Sequence, residues 1–182
     1  MNRNSQKALE LLKEGNARFV SGNLAPKDHY DEDRQRLSQG QHPFAVVLCC
    51  SDSRVVPEIL FDQKLGDLFV IRNAGNVVDD DVLGSIEYAV EHLESPLVIV
   101  LGHSDCGAVT ATCQGGELPG HIVEIAKRIK PSIDEGCCIN DNARRHAERM
   151  TQLIKNDPIV EHTNAKVVAG FYDIATGMVE WQ

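Results

Sequence analysis

Four short runs dominated by apolar side chains punctuate the chain: 43–50 (PFAVVLCC), 67–71 (DLFVI), 96–101 (PLVIVL) and 167–172 (VVAGFY). Continuous apolar runs of this length, rich in Val and Ile, are the pattern of strands buried on both faces, as in a parallel sheet. Between them the apolar period lengthens to that of helices. Residues 5–20 carry Ala8, Leu11, Leu12, Ala17, Phe19 and Val20, with Ser5 as N-cap and a weak point at Glu14-Gly15-Asn16. Residues 21–42 are polar and read as a loop. A short helix is expected over 57–61, with Pro57 in its first turn. A longer one starts at the acidic run Asp79-Asp80-Asp81 and continues to Leu93, followed by helices over 105–112, 120–130 and 139–155. Residues 131–138 are a connector. Residues 173–177 form a hairpin turn, and 178–181 pair back antiparallel.

This alternation predicts an α/β fold: a mostly parallel central sheet of four strands plus a C-terminal antiparallel strand, flanked by helices, with an N-terminal helical arm. No shift in composition divides residues 1–182, so a single domain is expected, with 1–42 as its arm and loop. In open sheets of this kind ligands sit beyond the carboxyl ends of the strands, where the strand order reverses.

Charge narrows the partners. Lys and Arg total 18 against 27 Asp and Glu, a formal net charge of −9. That balance disfavours nucleic acid and anionic membranes. The longest apolar runs reach eight residues, far from a membrane span. Met1-Asn-Arg-Asn-Ser-Gln6 leads into charged sequence without an apolar signal region. A soluble, cytoplasmic protein is expected. In that setting the six cysteines read as ligands, core residues or redox thiols rather than disulfides.

The chemistry concentrates after the first and third predicted strands, in Cys50-Ser-Asp-Ser-Arg54 and His103-Ser-Asp-Cys-Gly107. Taken singly, a strand-end Cys is a small core hydrophobe and a loop His a surface residue. Jointly, Cys50-x52-His103-x2-Cys106 offers two thiolates and an imidazole, the three-ligand pattern of a catalytic zinc site with one position open. If the two strands are adjacent, their ends lie about 4.8 Å apart. Cys106 is then expected in a first helical turn, where the dipole favours a thiolate. Asp52 and Arg54 admit two readings. One is a plain loop ion pair. The other is a gate, in which Asp52 either pairs with Arg54 or becomes the fourth ligand of a closed site. Cys49 points to the opposite strand face and Cys113 packs on its helix. Cys137 and Cys138 sit in the connector, with a second metal or redox role as the alternative. Asp105 reads as a helix cap, and His29, His42, His92, His121, His146 and His162 as surface or core-edge residues.

Together with Arg72-Asn-Ala-Gly-Asn76 and the 85–90 segment SIEYAV, these motifs resemble the β-class carbonic anhydrases over about residues 5–182. The resemblance implies reversible hydration of CO2 to bicarbonate, one Zn2+ per chain on Cys50, His103 and Cys106, and Asp52–Arg54 as catalytic dyad. It implies substrate contacts from Gln41, Phe69, Tyr88 and the Gly107 amide, a plant-like set, with Ala74 smaller than the usual residue of that pocket. Val47 stands where another subgroup carries the Trp of a noncatalytic bicarbonate site, so locking of that type is not expected. The family assembles as homodimers or homotetramers, with the N-terminal helices embracing a partner and the site at the interface. Two alternatives remain: a same-fold hydrolase of carbon disulfide or carbonyl sulfide, and a noncatalytic zinc-binding or redox-sensing protein.

Overall fold

The computed structural model describes residues 4–28 and 30–182, so His29 lies outside the described residues. Its centre is one five-stranded sheet in the order β2-β1-β3-β4-β5. β1 (Ala45–Cys50) pairs parallel with β2 (Leu68–Asn73) on one side and β3 (Leu97–His103) on the other. β3 pairs parallel with β4 (Lys166–Tyr172), and β5 (Val179–Trp181) closes the edge antiparallel. The chain leaves β1 for β2 on one side and returns to β3 on the other. That reversal opens a crevice between the carboxyl ends of β1 and β3.

Every residue of β1 and β3 is buried, which is why their sequences carry no polar alternation. Ala45, Val47, Cys49, Leu97, Ile99 and Leu101 face Leu9 and Leu12 of α1 (Ser5–Ser21). Val46, Leu48, Val98 and Val100 face the helices on the other side, α4 (Asp80–Glu87) and α7 (Ile139–Lys155). Each fully buried aliphatic side chain contributes about 1.5–3 kcal/mol, so the strands are held chiefly by these two apolar layers.

Several elements differ from the sequence reading. Asn4, not Ser5, caps α1, accepting the Gln6 N–H at 2.8 Å. The Gly15-Asn16 step does not weaken that helix but docks it: a Cβ on Gly15 would lie 1.7 Å from the Phe61 carbonyl oxygen. Only glycine allows α1 to lie so close to the end of α3 (Pro57–Leu60). Within 21–42 a helix forms, α2 (Tyr30–Leu37), whose polar residues are all at least partly exposed. The helix begun under the Asp79 cap ends at Glu87 and continues as a π turn over Tyr88–His92. α5 (Gly107–Gln114) starts later than expected. Cys106 is its N-cap, and Asp105, in left-handed backbone at φ 53°, caps nothing. α6 (Ile122–Ile129) and α7 lie where expected, whereas α8 (Pro158–Thr163) was not foreseen. Its Asp157 cap and Pro158 are the signals that could have found it. His146 is no surface residue: it sits on the core face of α7, fully buried. Among the described residues no helix is long and apolar enough to cross a membrane.

Candidate metal centre

The crevice at the strand reversal brings Cys50, His103 and Cys106 together, their ligand atoms all within 4.8 Å of one another. β1 delivers Cys50 on the face turned toward α4 and α7, β3 ends on His103, and Cys106 follows at the cap of α5. All three side chains are buried. The His103 Nδ1–H donates to the Ser104 carbonyl at 2.9 Å, which leaves Nε2 as the bare nitrogen. That Nε2 is buried with no hydrogen-bond partner. An orphaned buried acceptor beside two thiols is costly to hold unless a cation takes its lone pair. The donor set of two sulfurs and one imidazole nitrogen is that of zinc with a fourth position free. The residues present therefore fit the ion.

Electrostatics favour the same reading. The Cys50 thiol is held below its ordinary range, chiefly by a hydrogen bond from Cys106 and, against burial, by the Gly75 amide. Cys106 is pushed up by Cys50 and by burial, although the α5 amides of Val109 and Ala108 pull it back. A divalent cation held by both sulfurs would displace thiol protons, so its binding strengthens as pH rises. Cys49, on the opposite strand face, is pushed up to about 12 by burial and stays a neutral core thiol.

Beside this cluster Arg54 grips Asp52 with both arms. Its Nε donates to Oδ1 at 2.9 Å, Nη2 to Oδ2 at 2.8 Å, and its backbone N–H to Oδ1 at 3.0 Å. These bonds hold the Asp52 carboxyl well below the usual carboxylate range. Of the two arrangements open to Asp52, this is the one in which it faces the guanidinium. The loop has further supports that the sequence reading did not name. Arg72 donates to the Cys50 and Asp52 carbonyls at 3.2 and 2.8 Å. Arg54 Nη2 reaches the Asp105 carbonyl at 3.4 Å, and the Asp105 N–H donates to Asn140 of α7 at 2.9 Å. Arg72 was visible in its motif, but its target was not. Asn140 had no sequence signal beyond its place at the start of α7.

Gly107 opens α5 next to Cys106, and a Cβ placed on it would meet nothing within 4 Å. The other expected substrate contacts are not brought to the cluster. Gln41 is exposed before the amino end of β1, against Lys64, Leu65 and Gly66. Cys50 stands at the carboxyl end, five strand steps or about 17 Å beyond Ala45. Phe69 pairs with Val46, low on β2, and stacks at 6.3 Å on Tyr88, which is 47% exposed and lies 5.4 Å from His92.

A parallel sheet that reverses over a Cys–His–Cys cluster able to hold a metal ion, with a carboxylate–guanidinium pair at its edge, defines a class of α/β proteins. The sequence profile of the carbonic anhydrases matches residues 45–179. The chain is 54% identical over 136 residues to a carbonic anhydrase of Mycolicibacterium smegmatis and 49% identical over 136 residues to carbonic anhydrase 2 of Mycobacterium tuberculosis. Each match covers 72% of this chain and 66% of the relative, so the chain spans slightly less than two thirds of their length. Among solved structures, a tetrameric β-carbonic anhydrase of Sordaria macrospora superposes with a TM-score of 0.77 at 26% identity, over 84% of this chain and 86% of that one. The chain belongs to the carbonic anhydrase family, with the β-class fold.

Proposed function

We propose that this chain, acting over residues 1–182 as one domain, catalyses the zinc-dependent interconversion of CO2 and water with bicarbonate and a proton. The observation that carries the reading is the bare, partnerless Nε2 of His103 within 4.8 Å of two buried thiols. Cys50, His103 and Cys106 would hold one zinc ion, whose Lewis acidity makes hydroxide available near neutral pH.

The remaining groups act on what occupies the fourth position. Asp52, kept ionised by Arg54, accepts a hydrogen bond from the nucleophilic water and aims its lone pair. Because Arg54 engages both carboxylate oxygens, Asp52 is held away from the ligand cluster and the site stays open. Breaking that pair would free Asp52 to close it. The amide of Gly107, at the N-terminus of α5, faces developing negative charge on the substrate oxygen.

Gln41, Phe69 and Tyr88 lie too far from Cys50 to serve the same chain's centre. They would serve the substrate site of a second copy, Gln41 by hydrogen bonding and Phe69 and Tyr88 as apolar wall, so two chains complete each site in a homodimer or a larger homo-oligomer. The residues before β1 are then the arm that reaches the partner. All six cysteines are free, which suits a reducing cytoplasmic setting.

Stopped-flow CO2 hydration on zinc-loaded protein between pH 6.5 and 9 tests the proposal. Turnover that vanishes in Cys50→Ser together with the zinc is expected. A folded, zinc-loaded protein without turnover would overturn the reading, and carbon disulfide would be the next substrate to assay. The relatives at 49–54% identity are carbonic anhydrases, which favours CO2.

A further inference from the structure

Cys50 is supported by a backbone N–H in a tight, buried turn that the Asn73 side chain braces at both ends, donating to the Val77 carbonyl at 2.8 Å and accepting the Val77 N–H at 2.9 Å. The Gly75 N–H donates to Cys50 Sγ at 3.3 Å. Gly75 stands in left-handed backbone, φ 73° and ψ 18°, in the three-residue turn after β2. A Cβ there would lie 2.8 Å from Ile129 Cδ1 and 3.0 Å from Ala108 Cβ, so the position admits only glycine. Glycine is also the residue with the greatest backbone freedom. The Asn73–Val77 bonds close the turn but touch neither polar group of Gly75 itself.

The fixing comes from α7. His146 Nε2 lies 2.8 Å from the Gly75 carbonyl oxygen and Nδ1 lies 3.1 Å from Ser132 Oγ. The carbonyl can only accept, so Nε2 carries the proton and Nδ1 accepts from the Ser132 hydroxyl. His146 is fully buried and Ser132 is 5% exposed. Burial presses the imidazole down to about 4, so it is neutral and its tautomer is set by these two partners. The donors run in one direction, from Ser132 to His146, from His146 to Gly75 and from Gly75 to the sulfur. Gly75 is thereby pinned on both sides of its Cα, its carbonyl to the imidazole and its N–H to the Cys50 sulfur.

We propose that His146, locked by Ser132, is a positioning residue of the metal centre: by holding the Gly75 carbonyl it fixes the backbone on one side of the Gly75 Cα, so that the N–H on the other side stays aimed at Cys50 Sγ. It touches neither substrate nor metal. Its effect is on the strength and geometry with which Cys50 serves as a ligand. The inference rests on the Cys50–His103–Cys106 centre proposed above but not on the reaction it performs.

The test measures metal, using Zn2+ and Co2+ as probes on the full chain. Zinc affinity is read by chelator competition, and the thiolate-to-cobalt charge-transfer band reports the Cys–metal bonds. His146→Leu keeps bulk but has no donor, and its zinc affinity should fall about 10- to 100-fold, the usual range for a lost outer-shell partner, with a changed cobalt band. His146→Gln carries an N–H near the place of Nε2 and should restore most of the affinity. Ser132→Ala frees the ring and should cause a smaller loss in the same direction. Wild-type affinity and cobalt spectra in a folded His146→Leu would overturn the proposal, as would a His146→Gln no better than Leu. If His146→Leu does not fold, Ser132→Ala and His146→Gln decide, and Ser132→Ala with unchanged affinity and spectrum overturns it. A wild-type protein that binds zinc but does not hydrate CO2 would remove the proposed reaction while these affinities still judge the clamp.

Discussion

Asp52 and His146 are both held away from their ordinary proton affinities, for opposite reasons. Asp52 is lowered by the two-armed grip of Arg54, so it remains a carboxylate throughout the neutral range. Replacing it by Asn keeps the shape but removes the charge and turns one of the two acceptor oxygens into a donor. Asp52→Asn should keep its zinc and lose about 100-fold in hydration rate, the lower end for a positioned acid–base group, and stopped-flow assay with metal analysis checks both. His146 is lowered from 6.5 to about 4 by burial, with Arg149 working in the same direction and Gly75 and Cys50 against it. Between those pH values the unfolded chain binds the proton and the native one does not. Native stability attributable to this group is thus intact at neutrality and declines as pH falls from about 6.5 toward 4, with a limiting slope of about 1.4 kcal/mol per pH unit. Asp62, brought to about 2 by Lys27 and Arg18 against its burial, loses its contribution only at lower pH. Urea melts of zinc-loaded protein at pH 7, 5.5 and 4.5 should show the slope, and His146→Gln should flatten it. The Cys50–His103–Cys106 cluster was legible in the sequence because Cys and His at two strand ends are an uncommon conjunction. His146 was overlooked as a scattered histidine, although it falls on the same helical stripe as Ala143, Ala147, Met150 and Ile154.

Among the elements, α1 shows most clearly what residue spacing conceals. Its apolar positions predicted the helix, but the contact that docks it is polar. Buried Asn16 donates to the Leu60 and Gly177 carbonyls at 3.1 and 2.9 Å and accepts the Val179 N–H at 2.9 Å. One side chain thereby ties the arm to α3 and to the β4–β5 hairpin, and Gly15 provides the close approach. Gly15→Ala should cost about 1–3 kcal/mol by overpacking, seen as a lower Tm and faster proteolysis ahead of β1. The strands were readable because burial on both faces leaves no polar alternation to interpret. α2 was not, since it buries none of its residues and leaves no apolar stripe. The π turn over Tyr88–His92 was hidden for another reason: its apolar spacing is that of the helix it extends.

At the scale of the molecule, the strand order decides where chemistry can occur. The sequence indicated a parallel sheet, yet only the order β2-β1-β3 shows that Cys50 and His103 flank the same crevice. Gln41 stands before the opposite end of β1, a separation that follows from the strand rise once 45–50 is extended. If Gln41 serves a partner's centre, subunits should complement one another. Neither Cys50→Ser nor Gln41→Ala chains alone should be fully active, but mixed assemblies should recover one intact site per pair. Recovery absent from purified mixed assemblies would place Gln41 outside the substrate site. The most direct test of the central claim is a zinc titration. Protein stripped of metal by chelator is given back Zn2+ while CO2 hydration is followed by stopped flow. Activity should rise in proportion to zinc and stop at one ion per chain, and Cys106→Ser should give no rise. Full activity in stripped protein, or none at one zinc per chain, would contradict the account.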